Sequence, residues 1–170
     1  MAIFYANPRL DYLFGFLGGE PVPTKKDSFK PIKDAVISSE NGEEILKDIY
    51  QKNPSNRRVK EFQLEISDLA KSVIKENTIK RPFVVEVILS FSITQSRCKE
   101  VDIDNLAKSV LDGLTGVAYE DDSQVSCLIC NKYVHENNLN SLLIGITKLT
   151  KTRKGFGTEI KLISDSIWQV

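Results

Sequence analysis

A single α+β domain is the fold this sequence predicts, on three observations. Two segments, 57–77 and 104–114, carry apolar residues at helical spacing. Three others, 83–93, 125–134 and 141–149, are β-branched and aromatic enough to be strands. The whole chain is 170 residues, long enough for one domain with its own core. The expected boundaries are residues 1–170, with 34–56 as an insertion or flexible loop and 151–170 as a C-terminal extension.

The elements follow in order. Leu13 to Leu17 is a short apolar run closed by Gly18-Gly19, a strand and a turn. Glu20-Pro21-Val22-Pro23 must be extended, because each proline disfavours helix in the residue before it. Lys25, Lys26, Lys30 and Lys33 follow, with Asp27 as counter-charge. In 34–56, Ser38 to Gly42 reads as a loop and Glu43 to Tyr50 as a weak helix, stopped by Asn53-Pro54-Ser55-Asn56. From Arg57 to Asn77 a stronger helix carries Phe62, Ile66, Leu69 and Val73 as one stripe. Arg81-Pro82 breaks the chain before the strand Phe83 to Ile93, which is apolar on both sides for part of its length and therefore central in a sheet. Thr94 to Glu100 reads as a polar loop. A second helix opens at Asp104 and carries Leu106, Val110 and Leu114, and Gly116 ends it. Val117 to Tyr119 is extended and Glu120-Asp121-Asp122-Ser123 is a turn. Val125 to Val134 and Ser141 to Leu149 form a hairpin around Glu136 to Asn140. Lys151, Arg153 and Lys154 lie in an exposed basic loop, and Glu159 to Ile163 adds one more strand.

Composition narrows the function. Hydrophobic residues are 41% and charged residues 27%, which excludes a disordered chain. Lys plus Arg equals Asp plus Glu at 23 each, which excludes a uniformly basic nucleic-acid coat but leaves room for local patches. No run reaches the roughly 20 apolar residues of a membrane span. The first residues lack the pattern of a secretory signal. Three cysteines, Cys98, Cys127 and Cys130, are an odd and sparse set that points to a reducing, intracellular compartment.

The chemistry concentrates in Val101-Asp102-Ile103-Asp104-Asn105-Leu106-Ala107-Lys108 and in Glu120-Asp121-Asp122-Ser123-Gln124-Val125. Residues two apart in extended chain point to one side, so Asp102 and Asp104 can converge, and the turn after the helix can bring a third carboxylate. Carboxylates so gathered repel unless a divalent cation neutralises them, and oxygen ligands suit Mg²⁺ or Mn²⁺. Such an ion polarises a phosphodiester and activates water. Lys108, four residues after Asp104, shares its helix face and can meet a phosphate oxygen. Each aspartate alone is more often a helix cap or a turn residue than a ligand. Together, with the lysine, they favour chemistry.

Asp-Ile-Asp-Asn-Leu-Ala-Lys-Ser-Val-Leu-Asp-Gly-Leu-Thr-Gly, followed by Asp-Asp-Ser-Gln-Val, resembles the signature of RusA-type Holliday junction resolvases. Gly19-Glu20-Pro21-Val22-Pro23 is similar to that family's N-terminal segment. The likeness runs from about Leu13 to Leu149, with an unmatched middle around residues 34 to 56. It implies a small α+β homodimer with a mixed sheet against two main helices, and an endonuclease that nicks opposed strands of a four-way DNA junction with Mg²⁺ (Mn²⁺ as a substitute). Carried over by position, it implies Asp102, Asp104 and Asp122 as metal ligands, Asp121 as a secondary one, and Lys108 as the essential lysine. It also implies a cytoplasmic, bacterial setting, with phage or prophage origin in keeping. The sequence departs from the family after Pro23, where lysines stand in place of an arginine-rich run and lack its bidentate fork.

Basic patches at Lys25-Lys26 and at Arg57, Arg58 and Lys60, with Lys52 beside them, are the expected DNA contacts, and Lys151-Arg153-Lys154 is a third cluster. Cys127 and Cys130 have zinc-pair spacing, but a strand turns them to opposite faces, and His135, expected in an exposed loop, is the single histidine. Trp168 packs on the domain or on a partner; the residues favour neither. The alternatives to a resolvase are a metal-dependent nuclease for flaps or single strands, and a non-catalytic junction-binding or structural protein.

Overall fold

In this computed structural model, residues 10–24, 29–32, 36–38, 44–46, 49–52 and 56–156 are described, with side chains for 10–24 and 58–156. In chain order the elements are β1 (Tyr12–Leu17), β2 (Phe29–Ile32), β3 (Val36–Ser38), β4 (Glu44–Leu46), β5 (Ile49–Lys52), α1 (Asn56–Ile74), β6 (Val84–Ile93), α2 (Gln95–Glu100), α3 (Ile103–Leu114), β7 (Val125–Val134) and β8 (Ser141–Leu149). The class is α+β, as expected.

Four strands make a mixed sheet in the order β1-β8-β6-β7. β6 is central, as its two-sided apolar character requires. The expected hairpin of the last two strands does not form. Instead β6 lies between them, antiparallel to β8 and parallel to β7. Two helices separate β6 from β7 in sequence, and a crossover of that length joins parallel neighbours. The register supplies the second reason. Val87, Leu89 and Phe91 of β6 face Ile146, Ile144 and Leu142 of β8, and all six are fully or almost fully buried. Phe14 of β1 extends the same layer opposite Ile144.

The helices cover that layer. On α1 the buried residues are Val59, Phe62, Ile66, Ala70 and Ile74, whereas Val73 is 38% exposed. The expected stripe therefore drifts by one residue at its C-terminal end. Eight residues overshoot two full turns of 3.6, so spacings of four, four and four carry the buried face round the helix. On α3, Leu106, Val110 and Leu114 are all fully buried, as the period predicts. Gly116, at φ 81°, ends that helix. Val117 and Ala118 form a turn instead of an extended piece, and Tyr119 makes isolated bridges to Ile79 and Thr115.

Two further expectations change. Thr94 to Glu100 is the short helix α2, not a loop, because the Thr94 hydroxyl accepts from the Arg97 N–H and caps it. Within the weak helix expected from Glu43 to Tyr50, the described residues Glu44–Leu46 and those from Ile49 are strand, not helix. β4 pairs with β3, and β5 with β2, antiparallel in both cases. Two short β-branched runs with partners at hand gain a ladder that a helix of two turns cannot match.

Behind the sheet, the fully buried Glu86 of β6 accepts the Phe156 N–H at 2.8 Å. Gly155 lies so close that a Cβ there would fall 2.3 Å from the Glu86 carboxylate. Arg153 is paired to Asp11 at 2.5 Å, so only Lys151 and Lys154 of the basic loop are truly exposed. The side chains of Lys25, Lys26, Lys52 and Arg57, the strand expected at Glu159 to Ile163, and Trp168 lie outside the described residues. Among the described residues no helix is long and apolar enough to cross a membrane.

Candidate active site

α3 carries Asp104, Lys108 and Asp112 at four-residue steps, so the three share one face while Leu106, Val110 and Leu114 face the core. Asp102 is the N-cap residue, in extended conformation at φ −81° and ψ 143°. Its carboxylate makes no capping hydrogen bond to the helix and instead takes the Asn105 amide at 3.4 Å. The ordinary capping role, weighed against chemistry above, is therefore not what Asp102 performs. Its place in space is fixed from behind. The Lys132 ammonium, on β7, donates to the carbonyls of Cys98 at 2.8 Å and Val101 at 2.5 Å, closing the end of α2 one residue before Asp102.

Asp121 and Asp122 belong to a turn that Gln124 anchors. The Gln124 side chain is buried, accepts the N–H groups of Glu120 and Asp121, and donates to the carbonyls of Ile79 and Phe83. The two aspartates then part ways. Asp121 caps the single 3₁₀ turn Asp122–Gln124, accepting from the Ser123 N–H at 3.0 Å and from the Ser123 hydroxyl. It also meets Arg81 at 3.4 Å. The Ser123 hydrogen bonds, with the Arg81 charge behind them, hold its carboxyl below the usual range. Asp122 points the other way, and its carboxylate receives the Lys108 ammonium at 3.0 Å.

Lys108 is thus brought to Asp122 across fourteen residues of sequence, and it also meets Asp112 at 2.8 Å. Hydrogen bonds to Asp112 first and Asp122 second raise its pKa, so the ammonium stays charged at any working pH. Asp112 is held in turn by the Gln63 amide of α1 at 3.2 Å.

Of the residues expected from sequence, Lys108 and Asp122 stand together, Asp102 and Asp104 open the same helix, and Asp121 is occupied by its own turn. Among the described residues, no three His, Cys, Asp or Glu side chains are gathered closely enough to hold a metal ion. The donor set nevertheless fits a hard divalent cation in kind: Asp102, Asp104 and Asp122 are exposed carboxylates. Asp112, Gln63, Gln124 and Lys132 were not foreseen. For Asp112 the signal was there, since it continues the four-residue series from Asp104 through Lys108. The other three act through tertiary contacts that no spacing reveals.

Arg58 and Lys60 are exposed on α1, and Arg58 borders an open groove of about 920 Å³ with Gly19, Glu20, Phe62 and Arg97. Cys127 and Cys130 face opposite sides of β7, Cys127 beside Glu86 and Cys130 against the core. Burial raises the Cys130 thiol to about 11. His135, half-buried at the end of β7 instead of exposed, accepts the Asn137 N–H on Nδ1 at 3.0 Å.

No curated protein is found to match the chain. A family profile does. That of endodeoxyribonuclease RusA matches residues 19–147, a span from the Gly19-Glu20-Pro21 turn into β8 that takes in α3, Lys108 and the Asp121-Asp122 turn. This covers well over half of the sequence, and with it the protein belongs to the RusA family of endodeoxyribonucleases, hydrolases of phosphodiester bonds that act on Holliday junctions.

Proposed function

We propose that this protein resolves four-way DNA junctions as a Mg²⁺-dependent homodimer, each subunit nicking one of two opposed strands. Asp102, Asp104 and Asp122 are the residues that would hold the cation, with Asp121 beside them, and Mn²⁺ would substitute. A cation held there would supply Lewis-acid polarisation of the scissile phosphodiester. Lys108 supplies fixed positive charge where negative charge grows on the phosphate oxygens. Gln124 and Lys132 hold the two carboxylate-bearing segments in place. Lys25, Lys26, Arg57, Arg58 and Lys60 would meet the phosphate backbone of the arms, and a symmetric pair of subunits gives the two cuts that resolution needs. A cytoplasmic, bacterial or phage setting is in keeping with this activity.

The observation that carries the proposal is the Lys108–Asp122 pair, 3.0 Å apart, which brings the Asp122 turn against α3. The test is cleavage of a four-way junction, a flap and plain duplex at equal salt, with and without Mg²⁺. Asp102→Asn is expected to abolish cleavage and leave junction binding intact, because it removes a ligand and no basic contact. Full cleavage by that variant refutes the ligand assignment. Faster cleavage of the flap than of the junction refutes the substrate.

A further inference from the structure

We propose that Asp112, braced by Gln63, is the positioning residue that aims the Lys108 ammonium at the scissile phosphate; this rests on the role given to Lys108 above. The geometry is a relay across two helices. Gln63 on α1 donates to one carboxylate oxygen of Asp112, at 3.2 Å, and Lys108 donates to the other, at 2.8 Å. The side chain of Asp112 is 24% exposed and that of Lys108 is 50% exposed, so the carboxylate is the more firmly seated partner. A lysine stem has four rotatable bonds and a strongly hydrated head, and on an exposed helix face it samples many rotamers. An acceptor one turn along, itself tied down, selects the rotamers that keep the ammonium beside Asp122.

The seat depends on how closely the helices meet. Gly113 follows Asp112, and a Cβ there would sit 2.9 Å from Ile66 Cβ and 3.0 Å from the Gln63 carbonyl oxygen. Only glycine lets α1 approach α3 that far, and that approach is what puts the Gln63 amide within reach of Asp112. Burial on this part of α3 thus has a second consequence besides stability: it transmits a fixed position from the core side of the domain to an exposed lysine.

The experiment measures single-turnover cleavage of a four-way junction in Mg²⁺, junction affinity without divalent cation, and thermal stability of each variant. Lys108→Ala is the reference and is expected to lose cleavage. Asp112→Asn keeps shape and loses charge; it is expected to slow cleavage about tenfold without weakening junction binding. Asp112→Glu is expected to recover part of that loss. Gln63→Ala is expected to slow cleavage about threefold in the parent and to have no further effect in Asp112→Ala. An unchanged rate in both Asp112→Asn and Asp112→Ala, alongside an inactive Lys108→Ala, overturns the positioning role and leaves the Lys108 assignment standing. A fully active Lys108→Ala overturns that assignment itself. Additive losses in the Gln63 and Asp112 pair overturn the relay.

Discussion

Replacing Gly113 with alanine probes the contact on which the site's geometry hangs. The new Cβ would stand 2.9 Å from Ile66 Cβ, about 0.6–1.1 Å inside the ordinary carbon–carbon separation. Its other near neighbours, the Gln63 carbonyl oxygen and Ile66 Cγ2, are at 3.0 Å, so rotating one side chain does not relieve it. Forcing a methyl into a closed contact costs about 1–3 kcal/mol. Against that, alanine is better than glycine inside a helix by about 0.8–1.0 kcal/mol. The net expectation is a loss of roughly 1 kcal/mol, or about 2–4 °C in Tm for a domain of this size. Urea and thermal denaturation at fixed protein concentration measure it. Cleavage should fall as well, since separating α1 from α3 draws Gln63 away from Asp112. A Gly113→Ala protein more stable than the parent by about 1 kcal/mol would show helix propensity acting alone. The close approach of the two helices would then be refuted.

Lys132→Met is expected to lower stability by about 1–3 kcal/mol, because the carbonyls of Cys98 and Val101 lose their shared donor. It should reduce cleavage more than junction binding, and a variant stable and fully active shows that Asp102 needs no support from β7. The Asp121 carboxyl is lowered from 3.8 by its Ser123 hydrogen bonds, so the stability it contributes is complete above the unfolded value and is lost as pH falls through the lower folded value. Acid denaturation of Asp121→Asn should therefore be shallower below about pH 4 than that of the parent, and identical acid limbs contradict the capping role. Arg58→Gln combined with Lys60→Gln should reduce the slope of log K against log salt by about 2 if each meets one phosphate. Filter binding across a salt series measures this, and an unchanged slope removes α1 from the DNA surface.

Periodicity made the helices legible because the core enforces it. Leu106, Val110 and Leu114 repeat at one turn, and each is buried where the repeat predicts. The central strand was legible for the same reason, as Val85, Val87, Leu89, Phe91 and Ile93 alternate into the core while Glu86 and Ser92 are buried on the other side. Strand pairing was not legible. Adjacent strands with a polar connection look the same whether they pair directly or straddle a third strand, and what decides is the fit of β6 between β7 and β8. The capping of α2 was missed because a run of polar residues has no apolar stripe to report it, and Thr94 acts through one hydroxyl.

The same division explains why the candidate-site motif could be read while its support could not. Asp104, Lys108 and Asp112 sit on one local period, and local periods survive in sequence. Asp122 reaches them only because the chain leaves β6, passes through α2 and α3, and returns parallel to β6 as β7. Where α3 ends and the return begins, Gln124 ties the turn to the segment just before β6. A hairpin of the last two strands would leave β7 without its place beside β6, and nothing would then set the Asp122 turn against Lys108. The parallel pair therefore does more than complete the sheet: it sets the Asp122 turn against Lys108 of α3, and Gln124 is the residue that anchors that turn.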